Sequence, residues 1–212
     1  MSQPQFCRRA VARTVREFGK LDILVNNAAY QQHQASLEEI SEEQWDYTFR
    51  TNIYGYFYMC KYALPHLKPG SAIVNCGSIT GLEGSSRLLD YSSTKGAINA
   101  FTKSLAQNLV ERGIRVNCVA PGPVWTPLNV ADKPANEAAE HGGDTPMERP
   151  AQPNVLLNQR RSHQHSSSLL PRETLATSPG KCSRFLEARP RRLSRRYQLH
   201  SGCRHETRKE AK

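Results

Sequence analysis

Residues 21–29 read LDILVNNAA. Leu21 to Val25 form an almost continuous apolar run, cut off by two asparagines. Such a run is what a strand buried on both faces of a parallel sheet looks like. Helical patterns flank it. In Phe6–Lys20, Val11, Val15 and Phe18 recur at helical spacing, and Gly19 stands where a left-handed C-terminal cap belongs. Downstream, Ser41 with Gln44 makes a capping box. It opens a long helix with Trp45, Phe49, Ile53, Phe57, Cys60, Leu64 and Leu67 on one stripe, ended by Lys68–Gly70. SAIVNCGSI (71–79) reads as a second strand. A helix carrying Tyr91 and Lys95 continues through Ile98, Phe101, Leu105 and Leu109 and stops at Gly113. IRVNCVA (114–120) is a third strand, followed by the sharp loop PGPVWTP. The order helix, strand, helix, strand, helix, strand predicts an α/β fold, a partial doubly wound parallel sheet. Ligands of such sheets lie beyond the carboxyl ends of the strands. Polar or turn-forming residues gather there: Asn26 and Asn27, then Ser78, then Pro121 and Gly122.

Charge divides the 212 residues in two. Residues 1–153 hold 15 Lys and Arg against 15 Asp and Glu, whereas 154–212 hold 14 against 4. The whole net charge of +10 therefore belongs to the last 59 residues. From Gln159 onward there is no Ile and no Val. Such a segment buries little apolar area, and entropy predicts a disordered basic tail over 154–212 behind one domain over 1–153. The tail offers only Phe185 and Tyr197 for base stacking and no recognition motif, so a nucleic-acid partner is not expected.

Six scattered cysteines (Cys7, Cys60, Cys76, Cys118, Cys182, Cys203) show no metal-ligand spacing. Buried thiols are the plain reading for four of them. No N-terminal run reads as a signal peptide, and no apolar stretch approaches the ~20 residues of a membrane helix. A reducing cytoplasm, without membrane attachment, fits this pattern. His33, His66 and His141 show no partner pattern and read as surface residues.

The chemistry is concentrated in LLDYSSTKGAINAF (88–101). Tyr91 and Lys95, four residues apart, share one helical face. A phenol ordinarily titrates near ~10. A neighbouring ammonium favours the phenolate and lowers that value, making a proton donor or acceptor for an alcohol/carbonyl pair. Ser78, thirteen residues before Tyr91, could hydrogen-bond the substrate oxygen. A Tyr-x-x-x-Lys spacing alone fits any helical face. The surroundings argue otherwise: NNAA at a strand end, Asn52 inside an apolar helix, Ser78 upstream, and Pro121–Gly122 with Thr126 after the third strand.

On these motifs the chain resembles the short-chain dehydrogenase/reductase family, closest to its bacterial aldehyde/alcohol and glucose/ribitol dehydrogenase-like branch. The resemblance covers about residues 4–153. It implies a Rossmann-type fold, an NAD or NADP cofactor and a small alcohol/carbonyl substrate (an aldehyde, ketone or sugar). It also implies a tetrad. Tyr91 would be the acid/base, with Lys95 lowering its pKa and binding the nicotinamide ribose. Ser78 would polarise the substrate oxygen, and Asn52 would hold a water linking Lys95 to solvent. Asn27 and Ala28 match the strand-end motif beside the cofactor. Pro121, Gly122, Val124 and Thr126 match the loop gripping the nicotinamide carboxamide. Plain alternatives stand beside these roles: Asn26 as a brace of the sheet, Asn52 as a helix kink, Thr126 as a cap.

Two features depart from the family. Its TGxxxGxG loop, whose amides cradle the pyrophosphate, is absent from the 212 residues. Met1 falls where family members have completed three strands, so the LDILV strand becomes an edge strand. After about residue 153 the pattern of a helix and a glycine-rich strand gives way to the basic tail. That resembles a shifted reading frame, with a genuine evolved tail as the alternative. The function expected is an oxidoreductase of this family. The competing reading is a catalytically inactive fragment of one, the product of a broken gene or a docking partner of a full-length relative. Homo-oligomers are common in the family, but the replaced last segment leaves that assembly in question for this chain.

Overall fold

A computed structural model describes residues 2–145 and 147–153, and the backbone of 183–187. Helix α1 (Pro4–Phe18) begins on a proline, which needs no helical partner for its missing N–H, and ends at Gly19 with φ +74°. The Gly19 N–H closes the helix on the Val15 carbonyl at 2.8 Å. Cys7 and Val11 are its buried residues, while Phe18 stands exposed. The apolar stripe is thus shifted one turn toward the N-terminus from the expected one.

Strands β1 (Ile23–Asn26), β2 (Ala72–Cys76) and β3 (Arg115–Pro121) pair in parallel and in that order. Leu24, Ile73 and Val116 stand in one register row. They bury against Val11 of α1, Cys60 and Ala63 of α3 (Gly55–Ala63) and Leu109 of α5 (Leu89–Leu109). β1 is not buried on both faces: Leu24 and Asn26 are buried, whereas Ile23 and Val25 are 46% and 38% exposed. Among the described residues β1 is the terminal strand of its sheet, and the described core packs on the face that Leu24 shares.

The expected long helix is continuous but not uniform. α2 (Glu42–Phe49) passes through a π-helical turn, Arg50–Tyr54, into α3. Ser41 accepts a hydrogen bond from the Gln44 N–H at 3.1 Å, as the capping box predicts. The Gln44 side chain does not return the bond; it reaches Asp90 instead. The buried stripe is Thr48, Asn52, Tyr56, Cys60 and Ala63, whereas Trp45 and Phe57 are exposed. Polar residues won this face because α5 meets it with hydrogen-bonding partners of its own.

The expectation of a disordered tail over 154–212 lies outside the described residues, save for one segment. Ser183–Glu187 forms β4, which pairs antiparallel to β3. No strand was expected there. An open edge of β3 offers backbone donors and acceptors, which a short segment can satisfy whatever its side chains. Cys182, Cys203 and Tyr197 lie outside the described residues.

Candidate active site

Three connections leave the carboxyl ends of the parallel strands and meet at one cleft of about 770 Å³. Asn27 follows β1. Cys76 ends β2 and Gly77 and Ser78 follow it, and Pro121 ends β3 with Gly122, Val124 and Thr126 after it; all line the cleft with Tyr91 and Lys95. The loop after β2 is tied to the end of β3. The Gly77 N–H donates to the Val119 carbonyl at 2.7 Å, and the Ile79 N–H to the Pro121 carbonyl at 2.9 Å. Ser78 is thereby held at the mouth of the sheet. The short helix α4 (Thr80–Glu83) then runs against α5 so closely that a Cβ on Gly81 would lie 2.5 Å from the Lys95 carbonyl carbon.

Tyr91, Lys95 and Ser78 are all buried. The Lys95 Nζ lies 5.3 Å from the centre of the Tyr91 ring and donates to the Cys76 carbonyl at 2.7 Å. Tyr56, from α3, donates its hydroxyl to the same carbonyl at 3.2 Å. Burial pushes the Tyr91 phenol well above its ordinary range, with the nearby Cys76 adding to this and a hydrogen bond from Ser78 opposing it. Burial lowers Lys95. The expected depression of Tyr91 by Lys95 is therefore not what the structure shows. Removing water from the phenol costs its ionised form more than its neighbours return. The Ser78 Oγ itself accepts from the Thr80 N–H at 3.2 Å and the Thr80 hydroxyl at 3.0 Å.

Asn52 does not line the cleft. It stands in the π-helical turn, fully buried. Its Oδ1 accepts from the Tyr30 N–H at 2.8 Å, and its Nδ2 donates to the Tyr30 carbonyl at 2.9 Å and to the Thr94 Oγ1 at 3.0 Å. Thr94 in turn donates to the Tyr91 carbonyl at 2.7 Å. Asn52 thus clamps the chain beyond β1 to the helix that carries Tyr91. Ala28 is not among the cleft residues; Asn27 and Ala29 on either side are. Asn26 braces the sheet: its Nδ2 donates to Asn75 Oδ1 at 2.8 Å, and Asn75 donates to Thr102 at 2.9 Å. Thr126 makes no side-chain cap to α6 (Pro127–Val130); its hydroxyl accepts from Asn129 Nδ2 at 3.3 Å.

The outer wall is charged. His33 was expected at the surface without a partner, yet its ring nitrogen lies 2.8 Å from Asp132 and its side chain is 11% exposed. His141 was read likewise, yet it lines the cleft with its Nδ1 3.4 Å from Lys133. Arg87 pairs with Glu137, on α7 (Ala135–Ala139), at 2.7 Å. Cys76 was read as a buried thiol but is half-buried and lines the cleft. Sequence reasoning missed the Cys76 carbonyl, because a backbone acceptor carries no side-chain signal. It missed Thr94 although that residue lies inside the quoted motif, four residues from Asp90.

Residues 1–158 match the family described as "Enoyl-(Acyl carrier protein) reductase". An "Uncharacterized oxidoreductase YhdF" of Bacillus subtilis (strain 168) is 60% identical over 147 residues, covering 69% of this chain and 51% of that protein. A "Glucose and ribitol dehydrogenase" of Daucus carota is 48% identical over 147 residues, covering 69% of this chain and 50% of that protein. A short-chain dehydrogenase of Burkholderia cenocepacia J2315, solved in complex with NADP, superposes with a TM-score of 0.67 at 30% identity, covering 75% of this chain and 64% of the other. The chain thus spans about half the length of the curated relatives it matches.

Proposed function

The chain belongs to the short-chain dehydrogenase/reductase family, and from that premise we propose that it carries the proton-transfer site of an NAD(P)-dependent oxidoreductase acting on an alcohol/carbonyl pair. The observation that carries this reading is the convergence of Ser78, from the loop after β2, with Tyr91 and Lys95, from α5, on one cleft beyond the strand ends. Tyr91 gives a proton to the substrate oxygen in reduction and takes it in oxidation. Ser78 hydrogen-bonds that oxygen and orients it. Lys95, held by the Cys76 carbonyl beside the ring, stabilises the phenolate formed when Tyr91 gives up its proton. Asn52 ties α5 to the chain beyond β1 through Thr94 and Tyr30, and a water held by Asn52 linking Lys95 to solvent is part of this proposal.

The residues present fit the nicotinamide half of a dinucleotide. Asn27, the turn Pro121–Gly122, Val124 and Thr126 line the same cleft as Tyr91 and Lys95. When bound, the nicotinamide supplies or accepts the hydride. The name of the carrot relative and the polar outer wall support a sugar, with simple aldehydes and ketones as the other members of the class. Burial raises the thiols of Cys60 and Cys118 to about 11; a reducing cytoplasm is the compartment proposed.

Tyr91→Phe tests the reading, since it keeps the ring and deletes one oxygen. The assay is cofactor absorbance over a panel of aldehydes and sugars, with calorimetry of NADH and NADPH. Turnover should fall by about 100-fold or more while cofactor binding stays unchanged. Full turnover in the variant would overturn the assignment. The absence of a glycine-rich pyrophosphate loop from the 212 residues favours a second reading, in which this chain alone binds the dinucleotide weakly and turns over little. Micromolar binding with steady turnover would overturn that one.

A further inference from the structure

Asp90 immediately precedes Tyr91, and its side chain has no access to solvent. A carboxylate so buried must be satisfied, and this one is. Its Oδ2 accepts from the Thr48 hydroxyl at 2.7 Å and from the Gln44 Nε2 at 3.2 Å, while its Oδ1 accepts from the Tyr91 N–H at 2.7 Å. The two oxygens therefore face different elements: one holds α2, the other the backbone of the acid/base residue. Gln44 is itself fixed by Gln34, whose Nε2 donates to Gln44 Oε1 at 2.6 Å.

Asp90 is the first rung of a ladder between two helices. Thr48 meets Asp90, and four residues on Asn52 meets Thr94. Four further on, Tyr56 packs with Ile98 in one buried cluster. Each step is one helical turn on both helices, so the ladder fixes the rotation of α5 about its axis. Tyr91 and Lys95 each follow a rung residue of α5 by one position. Their direction into the cleft is thus set by the rungs, and both polar rungs hold the Tyr91 backbone: Asp90 accepts from its N–H, and Thr94 donates to its carbonyl. Negative charge in the first turn of a helix is also favourable there.

We propose that Asp90 is a positioning residue: bridging Thr48 and Gln44 to the Tyr91 N–H, it sets the height and direction of the Tyr91 phenol in the cleft. The proposal rests on the reading of Tyr91 as the proton donor. Two measurements keep the two apart. Nitration of Tyr91 by tetranitromethane reports the exposure of its ring and needs no turnover. Trypsin releases 88–95 as one peptide in which Tyr91 is the sole tyrosine. In the full chain, Asp90→Ala should raise the nitration rate of Tyr91 about tenfold, leaving buried Tyr56 unaltered. Thr48→Val, which keeps volume and deletes one rung bond, should raise it about threefold. Thr48→Val added to Asp90→Ala should change nothing further, because its partner is gone. In turnover, both variants should lower kcat, Asp90→Ala by about tenfold or more, with the cofactor KM within about twofold. The proposal is overturned if Tyr91 nitration is unchanged in Thr48→Val and Asp90→Ala. It is equally overturned if Tyr56 accelerates as much as Tyr91 in Thr48→Val, or if the two substitutions add. If the parent chain shows no turnover, the functional reading fails, and nitration still decides the role of Asp90.

Discussion

Gly81 and Gly96 form the closest approach of α4 to α5, and they are not equivalent. A Cβ on Gly81 would stand 2.5 Å from the Lys95 carbonyl carbon and 2.7 Å from the Gly96 nitrogen. Both are backbone atoms of a packed helix and cannot give way. A Cβ on Gly96 would meet the Gly81 carbonyl oxygen at 3.5 Å, an ordinary contact. Gly81→Ala should therefore destabilise by at least ~1–3 kcal/mol and displace Ser78 from Tyr91. Gly96→Ala should be neutral or stabilise by up to ~1 kcal/mol, through the better helix propensity of alanine. Urea midpoints of the two variants check the contrast, and equal effects would contradict the packing described. Tyr91, Lys95 and Ser78 were legible in the sequence through the motifs around them, and the structure brings all three to one cleft. The state of the phenol was not legible. A neighbouring lysine suggests a lowered pKa, whereas burial, which sequence spacing does not report, decides the sign.

The π-helical turn Arg50–Tyr54 is the element that puts Asn52 where it can work. The buried stripe runs through Thr48, Asn52 and Tyr56, and the apolar Trp45 and Phe57 end on the outside. The polar residue in the middle of FRTNIYGYFYMC announced the anomaly, but not the bonds that sustain it. Asn52→Leu removes the partners of the Tyr30 N–H and carbonyl, while the Thr94 hydroxyl keeps its bond to the Tyr91 carbonyl. Each group left unsatisfied costs ~1–3 kcal/mol. The variant should lose about 2 kcal/mol or more by urea denaturation, and a loss under ~0.5 kcal/mol would show that the clamp is dispensable. The capping box shows the same division. Ser41 caps α2 as its spacing predicts, but Gln44 is drawn away by Asp90, a residue 46 positions on that no local pattern could bring near.

At the scale of the whole molecule, two surfaces carry predictions. β1 is a terminal strand of the described sheet with Ile23 and Val25 exposed, so it invites edge pairing with other chains. Val25→Lys should slow aggregation on heating, as read by light scattering, without lowering the urea midpoint by more than ~1 kcal/mol. An unchanged aggregation rate would clear β1 of that role. On the opposite end of the strands, His33 and Asp132 join the chain beyond β1 to the segment after α6. Burial raises the Asp132 carboxyl, but hydrogen bonds from the His33 N–H and ring outweigh it and leave the group below its ordinary 3.8. A depressed folded value means that the contribution is present above 3.8 and is lost as pH falls through the lower folded value. At neutral pH, Asp132→Asn should mimic that loss and speed amide hydrogen exchange over residues 128–139 severalfold. Exchange at the parent rate would show that the link does not hold this segment.

The sequence by itself determined the order of helices and strands and the parallel rhythm, because periodicity is a local property of the chain. It also placed Asn27, Ser78 and Pro121 at strand ends, since a strand's end is marked where its apolar run stops. Only the tertiary structure decided which faces are buried. Ile23, Phe18 and Phe57 are apolar and exposed, while Asp90, Asn52 and Lys95 are polar and buried. Burial depends on which element arrives opposite, and hydrogen bonds such as Thr48 to Asp90 and Asn52 to Thr94 repay it only when partners distant in sequence meet. The register of α5 against α2, and with it the direction of Tyr91, belongs to that second class.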